Sequence, residues 1–515
     1  MVNEDSVLKY DRYVGCVLFL FLFLRLFFGI DFSDESQYVA QAINPLINGT
    51  FFGEDLFIQQ IIYIFLVPLT KLYVWIWGAS GSFLFLRFLY LILVTTSGYL
   101  IYSYSRKACG DRLSYYMGAG LLSFIPFSIP SISYNTITYS FLPLILVYNF
   151  FYENKTRLTN LFFAFLITIL LFSYPPIILP IILSLFITRD YKLTFMSGLF
   201  CFLAGATLIL IWGFDQLLLS LKFSSQFNNS SLIPKSFLLI KQFIKPLFYV
   251  LGFLVIVRFV RKKALNKQII NISTFSLMVL ATLLYTFNYG YEHWGHTILT
   301  VAFMVMIFSL RKSFSNEKFN FILVSFMASI TCSFFSSNGI VNSALTLIVP
   351  LVIVLSSFNV RSINKQWVIG AFLIIISLSN YLFVYRDDNI FKLLNFTDKG
   401  PLAGIFTSQD KSHVLSGVDN FLKLEGVKNK KLLALHFPTI YTYGVIKPET
   451  RMFYIHDSNF QESVLDNIFD NLEPDFILIY KHRFNTVSDY AMAKFCPNQC
   501  DVYYEQTDFK VLRVN

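Results

Sequence analysis

Three carboxylates, Asp31, Asp34 and Glu35, stand immediately behind an apolar run from Val14 to Ile30. A carboxylate at the end of such a run can serve as general base toward a hydroxyl, or hold a divalent metal against a phosphate. The same residues also fit an acidic helix start, with Ser33 or Asp34 as cap and Glu35 favourable to the helix dipole. Arg25 lies inside the apolar run, about a turn and a half before Asp31. A guanidinium there is costly without a partner, which Asp34, Glu35 or a bound phosphate could supply, although snorkelling to the interface is the simpler alternative. Arg87, in Phe-Leu-Arg-Phe-Leu, has the same two readings. Glu54 and Asp55 are further carboxylates for a metal or a substrate. A second polar group, Tyr289-Gly-Tyr-Glu292-His293-Trp294-Gly-His296, sets aromatic faces beside carboxylate and imidazole edges. That mixture suits a sugar or a headgroup. Glu292, His293 and His296 have no zinc-site spacing, and an interfacial aromatic belt explains them as well. Tyr134-Asn135 opens an apolar segment and is either a cap or a substrate contact.

The elements that must carry these groups are membrane helices. Of 515 residues, 55% are hydrophobic, 14% are charged and 59 are Phe. No soluble core hides that much apolar surface, and runs of about 20 apolar residues, enough to cross the hydrocarbon layer, recur along most of the chain. The run from Val14 has no small-residue cleavage site behind it and is expected to stay as the first helix. The net charge of +10 resides in short basic connections between apolar segments, which is the positive-inside pattern and argues against nucleic acid as partner.

If those connections all face the cytoplasm, neighbouring ones must be separated by an even number of crossings. The pairs 114–129 with 134–151, 158–173 with 175–188, 193–213 with 242–260, 268–288 with 293–310, and 319–336 with 340–357 satisfy this. Segment 366–385 then leads outward. Before Arg106 there is room for only one crossing besides the first. The segment 58–77, with Gln59, Gln60, Pro68 and Lys71, is therefore expected to lie at the outer interface as an amphipathic helix. The alternative is that it spans and a later segment does not. About thirteen crossings result, with the N-terminus inside, the C-terminus outside and every candidate carboxylate on the outer face.

From Arg386 onward the composition is that of a soluble domain. Lys431–Phe437 and Asp475–Tyr480 read as strands and Gln461–Leu472 between them as an amphipathic helix. The expected organisation is a polytopic, mainly α membrane domain over 1–386, with 31–82 as first outer loop, and a small α/β domain over 387–515 on the outer face. Gly400-Pro-Leu-Ala-Gly-Ile-Phe is turn-rich and could roof the membrane site. Cys496 and Cys500 could pair in an oxidising compartment.

The stretch Arg25…Asp34-Glu35-Ser-Gln-Tyr38, followed by segment 58–77 and Arg87, resembles the first-loop signature of the GT-C membrane glycosyltransferases. Its nearest likeness is to the protein O-mannosyltransferase and lipid A aminoarabinose transferase branch. The resemblance covers the first 110 residues or so. It departs where that branch often carries Lys-Pro or Pro-Pro, since Glu54-Asp55-Leu-Phe-Ile-Gln59-Gln60 stands here instead. It implies a GT-C-like fold and a polyprenyl-phosphate-linked sugar as donor. It further implies a lipid, glycan or protein as acceptor and transfer with inversion, with the first carboxylate of the Asp34-Glu35 pair as base. Arg25, Arg87, Tyr38, Asp31, Glu54, Asp55, Tyr134, Asn135, Glu292, His293 and His296 are the candidate substrate or phosphate contacts. A divalent metal on Asp34, Glu54 and Asp55 is an option. The Lys/Asn/Ile/Phe bias suggests a bacterial inner membrane and a periplasmic site. A flippase for a lipid-linked saccharide, or an O-antigen-type polymerase, are the competing readings. A flippase would need paired broken helices in related halves, and no such symmetry is visible.

Overall fold

The computed structural model describes residues 4–48, 60–215, 217–220, 294–309, 314–336, 338–357, 365–450, 462–481, 486–497 and 500–514, with scattered positions between 236 and 255 and at 452, 453 and 455. Most of the expected crossing at 242–260, all of that at 268–288, and the candidates Glu54, Asp55, Glu292 and His293 lie outside them.

The first helix, α1 (Glu4–Arg25), is followed by α2 (Asp34–Asn48), α3 (Ile61–Trp77), α4 (Ser82–Cys109) and α5 (Asp111–Gly120). Then come α6 (Tyr134–Phe151), α7 (Arg157–Ser173), α8 (Ile178–Thr188) and α9 (Tyr191–Trp212). Capping residues set several starts. Ser133 and Thr136 form a reciprocal capping box on α6, Thr156 and Thr159 do the same on α7, and Asp190 accepts from the Leu193 N–H at the head of α9. Four further helices are α10 (Trp294–Ser309), α11 (Asn316–Phe334), α12 (Ile348–Ser356) and α13 (Lys365–Leu382).

The apolar surface is turned outward. On α9 only Leu193, Ser197 and Leu208 are buried, while Phe195, Phe202 and Leu210 are 72%, 72% and 86% exposed. Water does not tolerate a continuous stripe of that kind, whereas lipid chains do. This is a membrane protein. Among the described residues two helices, α4 and α9, are long and apolar enough to cross a bilayer. The 3-10 turn Gly339–Thr346 and α12 are together long and apolar enough as well, but meet at a bend of 63°, the form of a broken span or a re-entrant loop.

The sequence expectation needs correction at two places. A continuous helix over 114–129 is not formed: α5 stops at Gly120 and the chain continues through 3-10 turns at Leu121–Ser123 and Pro126–Ser128. Pro126 and Pro130 supply no backbone N–H, so the ladder cannot run through them. Phe127 and Ser128 adopt left-handed φ of 54° and 52°. The segment 340–357 is likewise bent rather than straight.

Beyond α13, β1 (Asn395–Thr397) and β2 (Ile405–Thr407) form an antiparallel hairpin. The segment around it seals the membrane helices. Gly29 N donates to Phe406 O at 2.8 Å and Phe406 N to Phe27 O at 2.8 Å, so β2 extends onto the end of α1. Gly81 N and Phe83 N donate to Gly400 O and Pro401 O at 2.9 and 3.2 Å, which pins the turn-rich segment on the head of α4.

The rest of the tail is a five-stranded sheet built from β3 (Lys431–Leu435), β4 (Lys447–Pro448), β5 (Phe476–Tyr480), β6 (Asp501–Glu505) and β7 (Phe509–Arg513). Its order is β4-β3-β5-β7-β6, parallel for β4-β3-β5 and antiparallel beyond. The central strands are buried on both faces, as the near-continuous apolar runs require. Helices α14 (Gln409–Leu422), α15 (Glu462–Phe469) and α16 (Thr486–Phe495) complete the unit. Cys496 and Cys500 are joined by a disulfide. The unit docks on α2, where Asn44 donates to Tyr441 O at 2.8 Å, Ser36 and Thr439 share a hydroxyl hydrogen bond of 2.8 Å, and Phe32 meets Phe437 edge to face.

Helices α4 and α5 touch through glycine. A Cβ on Gly98 would stand 2.7 Å from Gly118 O, and one on Gly118 would stand 2.3 Å from Gly98 O. In an ordinary helix interior Gly→Ala gains about 1 kcal/mol. Here the sign should reverse: Gly98→Ala and Gly118→Ala are each expected to lower the unfolding midpoint of the protein in lipid nanodiscs. A raised midpoint would contradict the packing.

Candidate functional site

The site begins where α1 ends. In the turn that follows Arg25, the last residue of α1, the carbonyls of Leu26, Phe28 and Gly29 meet side chains of the protein. Two guanidiniums meet them. Arg87 of α4 donates from Nη1 to Leu26 O at 2.7 Å and to Phe28 O at 3.4 Å, and from Nη2 to Gly29 O at 2.7 Å. Arg25 donates to Phe28 O, to Ser128 O at 2.8 Å and to Asn380 O at 3.2 Å. Both side chains are 1% exposed. Positive charge at a helix C-terminus is also favoured by the dipole.

Arg87 closes its fork on Glu35. Nε meets Oε1 and Nη2 meets Oε2, each at 2.7 Å, with side-chain exposures of 1% and 2%. This bidentate pair ties the first turn of α2 to α4. Asp31 organises the same turn from the other side. Its Oδ1 accepts from Ser33 N at 3.1 Å and Ser33 Oγ at 2.5 Å, and its Oδ2 accepts from Glu35 N at 3.1 Å. The capping carboxylate is thus Asp31 and not Ser33 or Asp34. Burial would raise the Asp31 carboxyl, but Arg386, Ser33, Lys411 and the Glu35 N–H outweigh it and hold it below its usual range.

Asp34 differs from its neighbours. Its side chain is 31% exposed, against 4% for Asp31 and 2% for Glu35. Arg386 Nη1 stands 3.4 Å from Asp34 Oδ2, and the Tyr385 hydroxyl donates to the same oxygen at 3.4 Å. Arg386 also donates to Ser33 Oγ and packs over the Tyr385 ring. Behind Asp34, Tyr38 is buried edge-to-face against Tyr134, which stacks on Tyr174 at 5.8 Å. Burial first, then Tyr134 and Asp34, push the Tyr38 phenol well above its ordinary value, so it stays a neutral hydroxyl.

Three contributors escaped the sequence reading: Arg386, Asp387 and Lys411. Asp387 is fully buried, and its Oδ2 accepts from Ile30 N at 2.9 Å and Thr407 Oγ1 at 2.8 Å. Lys411 of α14 lies 3.8 Å from Asp387 Oδ2, donates to Ile30 O and Arg386 O, and covers the Phe32 ring. Burial pulls its ammonium below the ordinary lysine value against the pull of Asp387, Asp31 and Glu35. These residues lie hundreds of positions from Asp34 in sequence. The signal available was their clustering at the point where the last apolar segment gives way to the tail.

The expected residues therefore converge in part. Arg25, Asp31, Asp34, Glu35 and Arg87 form one charged junction with Arg386, Asp387 and Lys411. Tyr38, Tyr134 and Asn135 adjoin it. His296 is buried between Phe124 and Phe127, and its Nε2 accepts from Phe127 N at 2.9 Å, so its imidazole braces the left-handed turn whose Ser128 O receives Arg25. Among the described residues no group of three His, Cys, Asp or Glu comes together, and the oxygens of Asp31 and Glu35 are engaged as above.

No protein-family model matches the chain, and no curated protein matches it. Two solved structures align with it end to end. ArnT from Cupriavidus metallidurans in the apo state is 11% identical over 99% of this chain and 98% of that one, with a TM-score of 0.39. ArnT from Cupriavidus metallidurans bound to undecaprenyl phosphate is 12% identical over 100% and 99%, with a TM-score of 0.40.

Removing one partner of a buried pair leaves the other charged and unsatisfied. Arg87→Ala is therefore expected to cost about 3–5 kcal/mol, read as a lowered midpoint in denaturant or thermal unfolding. The depressed carboxyl of Asp31 stabilises the fold above the ordinary aspartate value of about 4, and this contribution is lost as pH falls through its lower folded value. Asp31→Asn should accordingly be less stable at neutral pH and show a flatter acid limb in a plot of unfolding midpoint against pH.

Proposed function

We propose that this chain is a GT-C-type membrane glycosyltransferase that moves a sugar from a polyprenyl-phosphate donor to an acceptor hydroxyl, with Asp34 as general base. The observation that carries the reading is the contrast among four carboxylates at one junction. Asp31 and Glu35 are buried with both oxygens hydrogen-bonded and Asp387 is buried and held through its Oδ2, whereas Asp34 alone of these four is partly exposed. A base must reach its substrate, and a positioned frame must not move.

In the reaction, the acceptor oxygen attacks the anomeric carbon while its proton passes to an Asp34 carboxylate oxygen. The bond from the anomeric carbon to the phosphate oxygen breaks, and the electron pair leaves with the polyprenyl phosphate. One direct displacement inverts the anomeric centre. Glu35 acts through Arg87 as a positioning residue, fixing the first turn of α2 and hence Asp34. Arg386 and Tyr385 orient the Asp34 carboxylate, and Arg386 adds positive charge where the phosphate departs. A glycosyltransferase of this kind meets its donor at the bilayer surface. The placement of the junction at the exit of α1, and the order Asp34-Glu35, Tyr38, α3, Arg87 in the sequence, both support that reading.

The crossing parity and the Cys496–Cys500 disulfide support an outer, oxidising side for this site, the periplasm if the source is bacterial. Lipid, glycan and protein all remain acceptors compatible with a hydroxyl nucleophile.

Asp34→Asn keeps the size and partial exposure of the side chain but cannot take up the proton. Sugar transfer from a radiolabelled polyprenyl-phosphate sugar into membrane glycolipid or surface glycan should fall by about 10²–10⁴-fold, with the unfolding midpoint nearly unchanged. Undiminished transfer by the folded variant would remove Asp34 from the mechanism.

A further inference from the structure

The segment just beyond α13 carries large apolar side chains on its outside. Phe391, Leu394 and Phe396 are 73%, 77% and 56% exposed, while Ile390 and Leu393 between them are buried. Single apolar residues are ordinary on a protein surface, but three large ones within six positions mark a contact. The position of the segment identifies that contact. The chain turns back directly after α13, and Phe383 pairs with Asn389 in an antiparallel bridge, so Phe391 follows two residues beyond the end of that helix. The β1–β2 hairpin that comes next is hydrogen-bonded through Gly400 O and Pro401 O to the head of α4. Helix α4 has 28 residues and is apolar enough to cross a bilayer. Its length of ~42 Å matches the ~40–45 Å of a bilayer with its headgroups, which puts its head at headgroup level. Trp75 and Trp77, at the end of α3 just before that head, are exposed as well, and indole is a side chain that favours this layer.

We propose that residues 390–396 form a wedge that dips into the lipid surface at the head of α4, with phospholipid as the partner of this face. Phe391, Leu394 and Phe396 enter the boundary between headgroups and acyl chains. Lys392 is exposed among them and Lys399 is exposed just behind. A lysine in such a setting keeps its stem in the apolar layer and its ammonium at the lipid phosphates. The hairpin then has a lipid side and a protein side. On the first, the Phe396 ring lies 5.1 Å from that of Phe406, which stacks on Phe28 at 5.3 Å. On the second, Ile405 and Thr407 are buried, and Thr407 Oγ1 donates to Asp387 of the charged junction. One β-hairpin thus separates the junction from lipid and holds the α/β unit to the membrane. The proposal concerns this surface and does not depend on the reaction.

The test uses the full chain, one copy per lipid nanodisc, and two photoactivatable reagents. One is a phospholipid with a diazirine on its acyl chain beside the ester, and the other is free photo-leucine, a diazirine carried by water. After irradiation and digestion with trypsin, mass spectrometry measures adducts on peptides 387–392 and 393–399, which hold the three apolar side chains. Peptide 495–510 is the reference, since it carries the exposed Val502 on the edge strand β6. Peptide 393–399 is expected to take about tenfold more lipid adduct than 495–510, as a wedge ~5–10 Å deep requires, and photo-leucine to reverse that order. In the triple variant Phe391→Ser, Leu394→Ser, Phe396→Ser, lipid labelling of 387–399 should fall to the level of 495–510. If that variant fails to fold, the two ratios in the unaltered chain decide alone. Equal lipid labelling of 393–399 and 495–510 overturns the proposal, as does photo-leucine labelling of 393–399 that matches or exceeds that of 495–510. Protection of 387–399 from both reagents overturns it too, because the face would then be covered by protein. Unchanged lipid labelling in a folded triple variant has the same consequence.

Discussion

Two guanidiniums buried at the end of α1 set the terms for everything around them. Arg25 and Arg87 carry ten N–H donors between them in a place where water cannot serve. The chain answers with backbone carbonyls drawn from the turn that follows α1, from the strained Phe127–Ser128 turn and from the end of α13, and with a single carboxylate, Glu35. Each answer fixes a different element. The left-handed φ of Phe127 and Ser128 is sustained because Arg25 draws on Ser128 O and His296 accepts from Phe127 N. Strain of that kind persists only where several contacts hold it. The arginines are therefore better understood as the keystone of the helix ends than as ligands for an external phosphate.

The soluble tail belongs to the same junction. Its β2 strand continues the backbone pairing of α1, and Lys411 and Asp387 bridge that strand, the α1–α2 turn and the exit of α13. The remainder of the tail clamps α2 through Thr439 and Tyr441. The helix that presents Asp34 is thus gripped by α4 beneath and by the α/β unit beside it. This explains how α2 holds the Asp34 side chain in place while leaving it partly exposed. The geometry favours a structural rather than a mobile role for the segment 400–406, since its backbone is hydrogen-bonded to two membrane helices.

Local chemistry in the sequence indicated where the site lies but not how its parts pair. Asp34-Glu35 at the end of an apolar run, with an arginine before and after, was legible because charges beside lipid are few and conspicuous. Their division of labour was not legible. Nothing in Asp31, Asp34 and Glu35 as residue types says that the first caps α2, the third locks onto Arg87 and the second stays partly exposed beside Arg386. That depends on which way the first turn of α2 faces, which α4 decides from 52 residues away. Helices α6 and α7 were recognisable as the apolar runs 134–151 and 158–173, the first to the residue and the second within one. The segments that broke, 114–129 and 340–357, were apolar enough to look like spans, and hydropathy does not register the loss of a backbone ladder at proline. Arg386, Asp387 and Lys411 were out of reach for a different reason: only the docking of the tail brings them to Asp34.

The distribution of burial at the junction follows from a single electrostatic requirement. Four carboxylates, Asp31, Asp34, Glu35 and Asp387, face four cations, Arg25, Arg87, Arg386 and Lys411. A balanced set of that kind can be placed at low dielectric without net charge, which is the condition for keeping ions there at all. The two most exposed members of the set meet each other. Arg386 at 26% and Asp34 at 31% touch at 3.4 Å, a looser contact than the 2.7 Å bonds of Glu35 with Arg87. An ion pair at the edge of water is worth little, so it separates readily. When it does, an anion and a cation are left side by side at the exposed edge of the junction.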